Sequence, residues 1–158
     1  MKTAVVFASK YGATKRCAEM LAAEIGEGAT VLDLGAAKNP DISEFDAVAV
    51  GGPIYGGRIL KPVFDFCEHN SDLLTYKRLG LFVCCFRTGA EADAQLQGAF
   101  PSTLVAHARV KDVFGGAVDF DKLGLIDRFV MKRVGHLNQS IDTIHKDRIQ
   151  LMAESFRG

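Results

Sequence analysis

The stretch Thr3-Ala4-Val5-Val6-Phe7-Ala8-Ser9-Lys10-Tyr11-Gly12-Ala13-Thr14 decides the fold. Its first half is an unbroken apolar run of strand length, the pattern of a strand covered on both faces. Beyond it, Cys17, Leu21 and Ile25 recur four apart with Ala18 and Ala22 beside them, which predicts a helix. Between the two lies the hexapeptide Ser9-Lys10-Tyr11-Gly12-Ala13-Thr14. A strand, a short glycine-containing turn and a helix together aim free backbone N–H groups and a helix N-terminus at an anion. Ser9 and Thr14 add hydroxyl donors, and Lys10, Lys15 and Arg16 add positive charge. The turn therefore reads as a phosphate loop, although Gly and Thr are also ordinary turn and cap residues. It is neither G-x-x-x-x-G-K-[ST] nor G-x-G-x-x-G, which argues against nucleoside triphosphates and dinucleotides.

Composition narrows the class. At 158 residues the chain suits one domain, residues 1–158, and 48% hydrophobic with 24% charged residues is a globular balance. The formal net charge is zero, so nothing asks for nucleic acid as a partner. No apolar run has the length of a membrane span, and Met1-Lys2 enters the first strand directly, so a cytoplasmic protein is expected. Cys17, Cys67, Cys84 and Cys85 form no C-x-x-C pair and no zinc spacing, so neither a metal site nor a disulfide is expected. Cys17 and Cys67 fall on apolar helix faces, and Cys84 and Cys85 should point to opposite faces of a strand.

In chain order the pattern predicts strands at Thr30–Leu34, Asp46–Val50, Leu79–Cys84 and Val113–Val118. Helices are expected after Leu60, with Pro62 in the first turn and Leu60, Val63, Phe64 and Cys67 on one face, and from about Ala90 to Phe100. Two more are expected at Lys122–Val134 and Lys146–Phe156. Strands alternating with helices imply a parallel, doubly wound α/β sheet. In such sheets ligands bind beyond the carboxyl ends of the strands, where strand order reverses. Three special loops leave the first, third and fourth predicted strands: the hexapeptide, the glycine-rich Gly51-Gly52-Pro53-Ile54-Tyr55-Gly56-Gly57, and Cys85-Phe86-Arg87-Thr88-Gly89. A ligand with a phosphate tail and a flat ring would use all three, and FMN has that shape. Tyr55 is the candidate stacking residue; covering a turn from solvent is its ordinary alternative.

At these residues the chain resembles the flavodoxin family over essentially its whole length. The family's phosphate loop, T/S-x-T-G-x-T, is matched by Ser9-Lys10-Tyr11-Gly12-Ala13-Thr14, with Tyr11 in place of the middle Thr. Its aromatic before a glycine is matched by Tyr55-Gly56, with Tyr for the commoner Trp. Its third loop corresponds to Cys85–Gly89, without the frequent Tyr. The resemblance implies a three-layer, five-stranded parallel sheet of order 2-1-3-4-5 and non-covalently bound FMN that transfers electrons. It implies contacts from Ser9 to Thr14, from Pro53, Ile54, Tyr55, Gly56 and Gly57, and from Cys85, Phe86, Arg87, Thr88 and Gly89. It further implies that the Gly56-Gly57 peptide, free to rotate, turns its carbonyl toward the flavin N5–H on reduction.

Two features separate this chain from the acidic carriers of that family. Its net charge is zero, and Arg58 and Arg87 lie in the loops expected beside the ring, which predicts easier reduction. The segment Leu123–Val134 carries apolar Ile126, Phe129, Val130 and Val134 with basic Arg128, Lys132 and Arg133. An ordinary core-facing helix gives this pattern, and so does a basic amphipathic surface that docks a partner or an anionic membrane. Its Asp127-Arg128-Phe129 resembles part of the flavodoxin-like, menaquinone-dependent protoporphyrinogen oxidases. An electron-transfer flavoprotein with a redox partner protein or quinone is the first reading, and such an oxidase the second. A phosphorylated receiver domain shares the sheet order but needs an aspartate at the end of the third strand, where this chain has Val50-Gly51-Gly52.

Overall fold

The computed structural model describes residues 1–118, 124–133 and 140–157, with only the backbone of residues 126, 130, 131 and 133. The elements in order are β1 (Thr3–Phe7), α1 (Ala13–Ile25), β2 (Ala29–Asp33), β3 (Ala47–Tyr55), β4 (Arg58–Ile59), α2 (Lys61–His69), α3 (Ser71–Leu74) and β5 (Arg78–Cys84). There follow α4 (Gly89–Ala99), α5 (Ser102–His107), β6 (Val110–Val113), β7 (Ala117–Val118), α6 (Leu125–Arg133), β8 (Ile141–Asp142) and α7 (Lys146–Phe156). The sheet runs β2-β1-β3-β5-β6, all parallel, and the short β4 pairs antiparallel with β3. With β4 set aside, this is the order 2-1-3-4-5, in three layers.

Two cores follow from the two-residue period of the strands. Ala4, Val6, Val48, Val50, Leu79, Leu81 and Val83 face α2, α4 and α5 and meet Val63, Phe66, Cys67, Leu96 and Leu104. Val5, Phe7, Ala47, Ala49 and Phe82 face α1 and α7 and meet Cys17, Leu21, Ile149, Met152 and Phe156. Adjacent Cys84 and Cys85 part between them, Cys84 toward α1 and α7 and Cys85 toward α4. All four cysteines are buried and free. Helix α2 begins as Pro62 dictates, although Leu60 and Phe64 are only partly buried and Phe66 carries the packing instead.

Three boundaries depart from the sequence reading. The fifth strand of the sheet is Val110–Val113, not Val113–Val118; Ala117–Val118 pairs with Ile141–Asp142 in a separate two-stranded ribbon. The apolar run Val113–Val118 outweighed Val110-Lys111-Asp112, whose polar residues suit a half-exposed edge strand. The glycine-rich stretch is not a loose loop, because β3 continues through Gly51 and Gly52 to Tyr55. Here the glycines answer to packing: a Cβ on Gly51 would lie 2.1 Å from the Phe82 ring. The short helices α3 and α5 carry too few apolar repeats to be legible. Of the predicted Lys122–Val134 helix, Leu125–Arg133 is helical, while Lys122, Leu123 and Val134 lie outside the described residues.

Candidate functional site

Strands β1 and β3 are neighbours, yet the chain leaves β1 toward β2 and leaves β3 toward β5. The strand order therefore reverses between them, and their carboxyl ends open the crevice that such sheets use for ligands. The three loops named from the sequence, at Ser9–Thr14, Pro53–Gly57 and Cys85–Gly89, all lie at this edge.

The first loop is folded around its glycine. Gly12 has φ +97°, in the left-handed region, and its N–H donates to Ser9 Oγ at 3.0 Å. The Arg16 N–H donates to the Gly12 carbonyl at 3.0 Å, which makes Gly12 the cap of α1. No side chain caps this end and no acidic residue sits in its first turn, so the first N–H groups of α1 remain available to an anion. A Cβ on Gly12 would meet nothing within 4 Å, so the loop is open above the backbone. Thr14 Oγ1 is buried without a hydrogen-bond partner. The Cys84 thiol nearby feels this hydroxyl, but no hydrogen bond closes between them. Available amides and an orphaned hydroxyl are the chemistry of a phosphate cradle, so these residues fit the tail of FMN.

The second loop is the tip of a β-hairpin. Gly56 and Gly57 have φ +57° and +77°, the pair of positive values required by a two-residue hairpin turn. Tyr55 then pairs with Arg58 and Ile54 with Ile59, and the Leu60 N–H donates to the Pro53 carbonyl at 3.0 Å. Tyr55 is thus held on a strand end, half-buried, and burial pushes its phenol well above the usual tyrosine range. It stays neutral and offers a ring face at any ordinary pH.

Tyr11 joins the first two loops. Its ring stands edge-on to Tyr55, with centroids 5.8 Å apart and an interplanar angle of 89°. The Lys10 ammonium lies 5.3 Å from the Tyr11 centroid and 5.4 Å from that of Tyr55, within cation–π range of both. Burial, and then the Asp127 carboxylate, raise the Tyr11 phenol, while Lys10 pulls it down. Asp127 belongs to α6, so this helix reaches the same rim. Nothing local in the sequence signals this influence, because the two residues lie far apart in the chain. Of the apolar stripe expected on α6, Ile126 and Val130 are described only in their backbone and Val134 not at all; Phe129 is 60% exposed and Leu125 85%.

The third loop is more open. Cys85 is buried, and burial pushes its thiol up, so it is a neutral thiol rather than a nucleophile. Phe86 is 40% exposed and leans on Gly116, where a Cβ would come within 3.1 Å of its ring. Arg87 meets Glu91 at 3.6 Å in an exposed pair. Thr88 is extended, and Gly89, with φ +59°, opens α4. Two shallow clefts lie off the rim, about 330 Å³ between Arg16 and the β7–β8 ribbon and about 290 Å³ beside Lys2 and Glu44. Among the described residues no three His, Cys, Asp or Glu side chains are grouped to hold a metal, and no helix is long and apolar enough to cross a membrane.

Fold and rim together define a doubly wound α/β protein with an anion loop and an aromatic hairpin at the switch point. The chain belongs to the flavodoxin-domain family, whose model matches residues 4–143. Among solved structures it is similar to oxidised flavodoxin 1 of Bacillus cereus, at 17% identity and TM-score 0.62, covering 99% of this chain and 97% of that one. It is similar also to a Streptococcus pneumoniae TIGR4 flavodoxin, at 20% identity and TM-score 0.64 with 99% and 97% coverage. Rubredoxin:oxygen oxidoreductase of Desulfovibrio gigas matches at 19% identity and TM-score 0.60, over 98% of this chain and 35% of that one. No curated protein matches the sequence significantly.

Proposed function

We propose that the protein binds FMN non-covalently and transfers electrons through it, with residues 1–158 acting as one flavin-binding domain. The observation that carries this reading is the meeting, on one rim, of an open anion loop with an orphaned Thr14 hydroxyl and an aromatic hairpin presenting Tyr55. Ser9, Gly12, Ala13 and Thr14 would hold the phosphate with Lys10 beside it. Tyr55 would stack on one face of the ring, with Pro53, Ile54, Gly56 and Gly57 around it. Cys85, Phe86, Arg87, Thr88 and Gly89 would line the other side. The bound flavin supplies one- or two-electron chemistry that no side chain of this protein offers. The protein's part is to grip the tail, fix the ring and set the charge around it. Glycines at both hairpin-tip positions leave the Gly56-Gly57 peptide free to reorient its carbonyl without a Cβ penalty.

The test is direct. Purified protein is expected to be yellow, to release FMN on denaturation, and to quench the fluorescence of one equivalent of FMN when stripped. Protein that leaves FMN fluorescence unchanged at tens of micromolar would overturn the reading. Cell fractionation checks the cytoplasmic location expected from the sequence.

A second reading is supported by the influence of Asp127 on Tyr11, since Asp127-Arg128-Phe129 carries the resemblance to menaquinone-dependent protoporphyrinogen oxidases. Anaerobic turnover of protoporphyrinogen with a menaquinone analogue separates that enzyme from a carrier, which would show none.

A further inference from the structure

Lys10 belongs to the anion loop by sequence, yet its ammonium is turned toward the aromatic hairpin. It lies 5.4 Å from the centroid of the Tyr55 ring and 5.3 Å from that of Tyr11. The two rings stand at 89° to each other with centroids 5.8 Å apart. Perpendicular rings that both lie within cation–π range make a seat for an ammonium. The Lys10 side chain is exposed and makes no ion pair among the described residues. These two rings are therefore what holds a flexible stem in one place. Tyr55 is itself fixed by pairing with Arg58 across the hairpin. Tyr11 is what this chain adds: a threonine there, as the resemblance implies, has no ring and makes no second wall. One carboxylate is felt at the same pair, since Asp127 raises both phenols. It is common to every protein compared below and cancels from the comparison.

We propose that the Lys10 ammonium, seated by Tyr11 against Tyr55, makes a bound flavin ring easier to reduce. This rests on the flavin reading above, in which Tyr55 stacks on the ring, and it gives one residue of that site its task. The oxidised ring is neutral. Two electrons from a donor and one proton from solvent leave the reduced ring with one negative charge, while the phosphate tail keeps the charge it had. A cation beside the ring therefore favours the reduced state over the oxidised one. A cation serving the phosphate meets the same charge in both states, and without differential affinity it shifts nothing. Lys10 is thus the residue that sets the potential, and Tyr11 is its positioning residue.

The experiment uses the full chain. Oxidised FMN and riboflavin are first titrated into stripped protein by fluorescence quenching. The two-electron midpoint of bound FMN is then read anaerobically against reference dyes, with dithionite as reductant. Lys10→Gln is expected to lower that midpoint by about 30 mV or more, equal to a tenfold loss of preference for reduced over oxidised FMN. Both oxidised flavins should bind this variant about as they bind the wild type. Lys10→Arg keeps the charge and should keep the midpoint. Tyr11→Thr should lower the midpoint of the wild type and add nothing to Lys10→Gln, a non-additivity that a merely structural change would not produce. The inference is overturned if Lys10→Gln leaves the midpoint in place or raises it, or if Tyr11→Thr shifts it as far without Lys10 as with it. It is overturned also if Lys10→Gln weakens oxidised FMN about tenfold and spares riboflavin, the mark of a phosphate contact. Failure of the wild type to bind either flavin is read before any potential, and it strikes the flavin reading instead.

Discussion

Thr14 offers the sharpest test of the proposed phosphate cradle. Its hydroxyl is buried and unpartnered in the flavin-free protein, and an unanswered buried hydroxyl costs about 1–3 kcal/mol. Thr14→Val keeps the shape and removes the polar atom. Urea unfolding of the flavin-free variant is therefore expected to show a gain of about 1–2 kcal/mol. FMN affinity moves the other way, because a hydrogen bond to a charged phosphate is worth about 1.5–3 kcal/mol, or roughly 10- to 150-fold in Kd. Riboflavin, which lacks the phosphate, should bind wild type and variant alike. Thr3 supplies the control: it too is buried with an orphaned hydroxyl, but at the opposite end of β1. Thr3→Val should stabilise the chain and leave FMN affinity unchanged. A less stable Thr14→Val protein with undiminished FMN binding would refute both the vacancy of that hydroxyl and its role.

Tyr55→Leu is expected to weaken FMN and riboflavin alike, by about 1–3 kcal/mol as for other ring-on-aromatic stacks, measured by the same quenching titration. Gly51→Ala puts a Cβ 2.1 Å from the Phe82 ring, which itself stacks on Phe114 at 4.7 Å, and should cost about 3 kcal/mol or more in urea unfolding. Adding Phe82→Leu should recover part of that loss, as expected of coupled neighbours. Burial raises Cys67 from 9.0 to about 12, so the folded chain holds this proton more tightly than the unfolded one. Stability from Cys67 is complete below pH 9 and falls as pH rises toward 12, by about 2 kcal/mol between pH 8 and pH 10.5; the stability gap between wild type and Cys67→Ala should narrow by that amount. Arg58 is exposed, and for a bound ring taken to lie about 6 Å away, at an effective dielectric between 20 and 80, its charge would be worth about 0.7–3 kcal/mol, roughly 30–120 mV per electron. Arg58→Gln should lower the potential for the second electron by an amount in that range, read by potentiometric titration.

The alternation of strands and helices and the turns at the rim were legible because they rest on local pattern, whereas the strand order came with the family resemblance. Apolar runs covered on both sides announce β1 and β5, and a glycine or a proline marks each helix start near the rim. What escaped was set by tertiary contact. Edge strand β6 carries Lys111 and Asp112, which spoil its apolar pattern while the ladder with β5 still pairs it. The run past Val113 pairs instead with Ile141–Asp142, a register that no local signal contains. Gly51 and Gly52 looked like loop residues because their reason lies across the fold, in the Phe82 ring and in the Val63 and Ile59 side chains that close over the strand.

Tyr11 shows how one departure from a family pattern redistributes a site. The resemblance implies a threonine there, whose short side chain would keep its hydroxyl beside the loop's own amides. A phenol carries its hydroxyl past the loop, and here the Asp127 carboxylate of α6 helps to raise it. On the proposed reading the loop would lose a side-chain donor and keep its backbone N–H groups, Ser9 and Thr14, to hold a dianion at the helix start. In exchange the ring edge meets Tyr55 and shares the Lys10 ammonium with it. The glycine loop and the aromatic hairpin thereby become one connected cluster, on which the Asp127 carboxylate of α6 acts electrostatically.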